Sequence, residues 1–275
     1  MKKIALISVS DKTGIDSVAS ELSKMGYDII STGGTAKHLI SKGIKIIPIS
    51  EFTKFEEILE GRVKTLHPVI HAGILAKSKK DIEDLRDSKY SLIDVVIVNL
   101  YPFEKTISKR GCTFSNAIEN IDIGGPTLLR ASAKNHDRVT VLTDPSDYSL
   151  VLEELAKNGK VRSSTRLKLA AKVFSKVSKY DSLISSYLNS KSIKVEEAKT
   201  LLDGNGLAQS KAPGYGHRLT FISQEDPTKI STLVTWDSNE IYDAWRAGPE
   251  RATAMQGAAD LWSKPAESER FEMAD

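Results

Sequence analysis

Three short apolar runs, Lys3-Ile-Ala-Leu-Ile-Ser8, Tyr27 to Ile30 and Lys45 to Pro48, alternate with two helical stretches that stop at Gly26 and Gly43. Each run is too short for a helix and rich in β-branched residues, so each reads as a buried strand. Parallel neighbours need a crossover long enough to hold a helix. Strand, helix, strand, helix, strand therefore predicts an α/β fold with a parallel sheet sandwiched by helices. Ile93-Asp-Val-Val-Ile-Val-Asn-Leu100 is apolar through its middle, which predicts a central strand covered on both faces. Arg138 to Thr143 adds another strand, Ser78 to Ser88 an exposed charged helix, and Ser146 to Asn158 and Thr165 to Leu188 two more helices.

Ligands of such folds bind beyond the carboxyl ends of the strands; three segments that follow strands and a fourth that feeds a helix carry polar chemistry. Ser8-Val-Ser-Asp-Lys-Thr-Gly14 is rich in hydroxyls around Lys12. Ser31-Thr-Gly-Gly-Thr35 opens a helix, where free N–H groups and the dipole favour a phosphate and glycine lets the backbone come close. It is neither a P-loop nor a dinucleotide fingerprint, and a plain strand-to-helix turn also favours Gly and Thr. Asn99-Leu-Tyr-Pro-Phe103 ends the strongest strand; Tyr101 suits a ligand or a core position equally. Asp122-Ile-Gly-Gly-Pro126 joins a carboxylate to a tight turn, with Pro126 expected at the first position of a helix from Thr127 to Asn135. Arg130 and Lys134 share one face of that helix. An acid beside a basic stripe suits an anionic small molecule that exchanges protons; a well-capped surface helix would carry the same residues.

Gly61-Arg-Val-Lys-Thr-Leu-His-Pro68 is an irregular basic segment of a kind that carries function on loops, although solvated basic loops are commoner than catalytic ones. His67 and His71 are four apart, but Pro68 is expected to break the helix that would align them, so no metal site is expected. The single cysteine, Cys112, excludes an internal disulfide and a cysteine-built metal centre. With no secretory leader pattern and no apolar stretch of membrane-spanning length, a cytoplasmic protein is expected. A net charge of +3 gives no sign of a nucleic-acid partner.

Taken together and in order, these five motifs, with Lys134-Asn-His136, resemble the inosine monophosphate cyclohydrolase domain. That domain is the N-terminal half of a bifunctional purine-biosynthesis protein which also carries a formyltransferase. The resemblance runs from the start to about Leu188 and implies a methylglyoxal-synthase-like fold. It implies closure of a formamidoimidazole-carboxamide ribotide to inosine monophosphate with loss of water, without metal or organic cofactor. Carried over, Lys64 and Tyr101 stabilise or protonate the formyl oxygen, while Asp122 and Lys134 handle the carboxamide nitrogen. Ser10, Lys12, Thr32, Gly34 and Thr35 hold the phosphate, Arg62 and Thr65 line the site, Asn99 and Ile123 contact the base, and Gly124 also binds the substrate. Which lysine is the acid stays open. The family pattern has two glycines where this chain has Ala72-Gly73, a difference that matters only if the backbone there needs positive φ. A regulatory ligand-binding module of the same fold is the alternative, as is methylglyoxal synthase; a homodimer is expected.

The tail departs from this pattern. The formyltransferase opening expected after residue 188 is missing, 189–194 reads as a linker, and all three tryptophans lie in the last 40 residues. A helix over Val195–Gln209, strands over His217–Ser223 and Ile230–Trp236 around Glu225-Asp-Pro227, a helix capped by Ser238 and a last strand over Arg270–Met273 are expected for 195–275. That order resembles, partially, the antibiotic-biosynthesis-monooxygenase type of α+β (ferredoxin-like) dimeric domain, in which the tryptophans would serve as core or interface.

Overall fold

The structure is a computed structural model that describes residues 2–88, 90–223, 228–262 and 267–271. Two compact units divide the chain: Met1–Cys112 with Ala117–Ser182, and Thr113–Asn116 with Leu183–Asp275.

The first unit is built on a parallel sheet of β1 (Lys3–Val9), β2 (Tyr27–Ser31), β3 (Ile47–Pro48), β4 (Val95–Asn99) and β5 (Thr140–Leu142) in the order β3-β2-β1-β4-β5. The middle position belongs to β1; β4 is interior, between β1 and β5. Both faces are covered, which is why these strands are continuous apolar runs. Ala5, Ile7 and Val9 pack with Ile15, Val18 and Leu22 on one face, whereas Ile4 and Leu6 pack with Ile70, Ile74 and Leu128 on the other. Chain order runs outward from β1 to β3 and then resumes at β4 on β1's other side. The crevice for a ligand opens at that reversal, between the ends of β1 and β4. Val9 and Asn99 face each other there.

Several boundaries differ from expectation for local reasons. Pro68 does not break a helix; it opens one, Pro68–Leu75, with the His67 ring nitrogen accepting the Val69 N–H at 3.3 Å. Pro at that position gives up only an N–H with no helical partner. Ala72 lies inside this helix and needs no positive φ, whereas a Cβ on Gly73 would stand 2.5 Å from the Ser91 carbonyl. The helix after Asp122 begins earlier than expected, Gly124–Lys134, so Pro126 occupies its third position, still within the turn whose N–H groups lack helical acceptors.

The expected linker at 189–194 is helical, part of one helix that runs Ser163–Gln209. Its Asn and Ser residues favour turns, but with no Pro or Gly among them a helix is free to continue. Lys191 lies over the Tyr187 ring at 5.3 Å, one turn back. Gly206 is useful within this helix, since a Cβ there would meet Arg218 Cδ at 3.0 Å.

In the second unit, β6 (Tyr215–Ile222) and β7 (Ile230–Trp236) pair antiparallel, followed by the helix Asn239–Ala247 with the Ser238 hydroxyl accepting the Ile241 N–H. Trp236 meets Tyr215, Tyr242 and Trp245 at ring separations of 5.8, 5.9 and 6.0 Å, so aromatic packing forms the centre of this unit. Arg270 and Phe271 are not in a strand; Met273 and the Glu225–Pro227 turn lie outside the described residues.

Candidate active site

A cavity of about 530 Å³ opens in the first unit, at the end of the sheet where β1 and β4 diverge. That volume suits a small-molecule site. Its walls come from the three loops that follow strands, the Asp122 turn with residues 118–121 before it, and the basic loop.

The loop after β1 is pinned by Asn99. Its side-chain oxygen accepts the N–H groups of Ser10 (2.6 Å) and Asp11 (3.0 Å), and its amide donates to the Asp11 carbonyl (2.9 Å). Asn99 thus fixes the loop's shape as well as lining the cavity. Lys12 donates to the Val9 carbonyl and to the Thr35 hydroxyl (3.1 Å). Burial lowers the Lys12 pKa, partly offset by neighbouring Asp11. Thr35, itself buried, bonds the Val9 backbone, and the Ser8 and Thr32 hydroxyls stand 2.9 Å apart. These contacts fix the start of the helix Gly33–Ser41, whose first N–H groups have no helical acceptor. Gly33 takes φ +41°, and a Cβ there would lie 3.7 Å from Lys64 Nζ.

Lys64 therefore reaches from the basic loop towards the glycine turn. Glu57 lies 3.9 Å from its ammonium. In the same loop Leu59 (φ 54°) and Glu60 (φ 56°) are both left-handed, a conformation that costs non-glycine residues energy and clusters at functional sites. Arg62 pairs with Glu119 at 3.3 Å. Thr65 is buried, and its hydroxyl would stand 2.8 Å from a Cβ on Gly124, so the close approach of loop and helix requires glycine.

Asp122 is the most constrained group in the site. One carboxylate oxygen accepts the Gly125 N–H at 2.8 Å, and the other lies 3.4 Å from the Tyr101 N. Its own N–H donates to the Tyr180 hydroxyl at 2.8 Å. Burial raises the Asp122 pKa above the ordinary carboxylate value, against the pull of those two N–H groups and of Lys64. A Cβ on Gly125 would stand 2.5 Å from the Asp122 carboxylate, so glycine is what lets the turn close over the acid. Tyr101 and Ile123 sit at the exposed rim.

Every site residue expected from the sequence lines this cavity except Lys134. Lys134 is exposed at the last position of the Gly124–Lys134 helix, about 15 Å along the axis from the turn that enters the site. Arg130 is exposed too and lies over the Phe174 ring at 5.6 Å. The basic stripe is real but faces away from the acid. Glu57, Glu119 and Tyr180 were not singled out from the sequence; the two glutamates sit among ordinary surface acids, and Tyr180 lies 58 residues from its partner.

Two family models match the chain: an MGS-like domain over residues 14–127 and the AICARFT/IMPCHase bienzyme over 132–217. The chain is similar to the bifunctional purine biosynthesis protein PurH of Acetivibrio thermocellus, 58% identical over 190 residues, and to that of Streptococcus pneumoniae, 54% identical over 189 residues. Each alignment covers 68% of this chain but only 37% of the relative, so the chain spans little more than a third of those proteins. A solved structure titled "Crystal structure of ForH" matches with TM-score 0.60 and 32% identity over 67% of this chain and 98% of that one. The chain belongs to the AICARFT/IMPCHase bienzyme family and carries its MGS-like domain.

Proposed function

We propose that the first unit is an inosine monophosphate cyclohydrolase. The observation that carries this reading is the presence of Lys64 and a half-buried, backbone-anchored Asp122 in the cavity that also holds Lys12 and the Gly33–Thr35 turn. Binding a phosphate alone would need only the turn and one lysine.

The substrate is a small purine-precursor ribotide, a formamidoimidazole-carboxamide ribotide, whose phosphate lies against Lys12 and the first turn of the Gly33–Ser41 helix. Ring closure starts with attack of the carboxamide nitrogen on the formyl carbon. Asp122 takes the proton released from that nitrogen, and its raised pKa makes it a stronger base than an exposed aspartate. Lys64 donates to the formyl oxygen as it gains negative charge, with Tyr101 beside it at the rim. Protonation of that oxygen gives a carbinolamine; loss of the hydroxyl as water, with a proton from the former formamide nitrogen, forms the C=N bond and completes the ring. With Lys134 outside the cavity, Lys64 is the acid of the pair.

Incubation with the formylated ribotide, followed by ultraviolet absorbance of the purine, tests the reading: turnover supports it, and tight ribotide binding without turnover favours the regulatory module. Lys134→Ala is expected to change kcat by less than about threefold, because a cation at a helix C-terminus contributes only ~0.3–1 kcal/mol to helix stability. A tenfold or larger loss would return Lys134 to the catalytic set.

A further inference from the structure

We infer that Tyr180 is a positioning residue for ring closure, its hydroxyl holding the Asp122 segment in the orientation the carboxylate needs. The inference rests on the cyclohydrolase reading.

Three contacts support it. The Asp122 N–H donates to the Tyr180 hydroxyl at 2.8 Å, within the turn whose carboxylate is bonded by Gly125. The Tyr180 ring meets Phe103 edge-on, with centroids 6.3 Å apart and an interplanar angle of 74°. Phe103 is 1% exposed, and its N–H donates to the Tyr101 carbonyl at 2.8 Å. One side chain on the Ser163–Gln209 helix therefore supports both segments that converge on Asp122: 101–103 through its ring and 122–125 through its oxygen. Tyr180 is 8% exposed and does not line the cavity, so it acts through Asp122 and not on the substrate.

Without the hydroxyl, the Asp122 N–H has no acceptor and the turn is free to rotate. The Gly125 and Tyr101 N–H groups then bond the carboxylate less well, and its pKa rises further. The groups acting on Asp122 are Lys64 from the basic loop, those two N–H groups and the Tyr180 hydroxyl; Asp181 acts on Tyr180 in turn.

Tyr180→Phe keeps the ring and its packing on Phe103 and removes only the acceptor. In the full chain it is expected to lower kcat on the order of 10- to 100-fold, as misplacement of a reacting group does, with KM nearly unchanged. The acidic limb of the kcat profile should move to higher pH. Amide exchange at Asp122 should be slow in the unsubstituted chain and faster in the variant. Wild-type kcat and pH profile in the variant, or fast Asp122 exchange in the unsubstituted chain, would overturn the inference alone. A lowered Tm with an unmoved pH profile would make the role structural and overturn it as well. Absence of turnover in the unsubstituted chain would instead sink the cyclohydrolase reading, and this inference with it.

Discussion

Asp122→Asn is expected to slow ring closure on the order of 10²- to 10⁴-fold, the usual contribution of a positioned general base. The substitution is nearly isosteric, but the asparagine amide can keep only one carbonyl oxygen towards the Gly125 and Tyr101 N–H groups. Its other end is an NH₂ donor facing donors, so the turn loses a bond as well as a base. KM should move far less than kcat, because the proposed phosphate site lies on Lys12 and the Gly33–Thr35 turn. The pH dependence of the unsubstituted protein carries the same assignment. The base works deprotonated, and burial raises its pKa. Activity should therefore fall, as pH is lowered, at a pH above that of an ordinary exposed aspartate. An acidic limb at or below the pH of an ordinary exposed aspartate, or an Asp122→Asn variant of unchanged kcat, would remove Asp122 from the role of base.

Lys64→Ala is expected to cost on the order of 10²- to 10³-fold in kcat, the range for losing one oxyanion donor. The ammonium is only partly exposed, its side chain 30% accessible, and it is placed by its surroundings: Glu57 at 3.9 Å, with Gly33 and Gly61 leaving room on either side. A Cβ on Gly61 would stand 3.2 Å from Lys64 Nζ. Lys64→Arg should not rescue the rate, because a planar guanidinium cannot occupy the space of a compact ammonium between two glycines. Full activity in the arginine variant would mean that charge alone matters there, not placement of a donor.

The strand runs and the loops at their ends were legible because each obeys a local rule: short β-branched runs for a doubly covered sheet, and glycines where backbone meets ligand or side chain. Gly124 and Gly125 could be read as a tight turn from composition, but their reason is tertiary, namely the nearness of Thr65 and of the Asp122 carboxylate. That Lys134 lies outside the cavity was not legible, because helical spacing puts it on one face with Arg130 but does not say which way that face points. The face that carries Leu128 goes to the sheet, and the lysine is left outside. The helix through 189–194 was missed because polar residues weaken a helix without ending it. Tyr180 could not be found by pattern at all, since a hydroxyl meeting an N–H 58 residues away leaves no periodic trace.

The most direct measurement is a crystal structure of the chain with inosine monophosphate bound. The expected result is the phosphate on Lys12 and the Gly33–Thr35 turn, with the C2 edge of the purine within hydrogen-bond reach of Lys64 and Asp122. A nucleotide bound elsewhere, or bound with its base at the glycine turn and its phosphate at Asp122, would contradict the account.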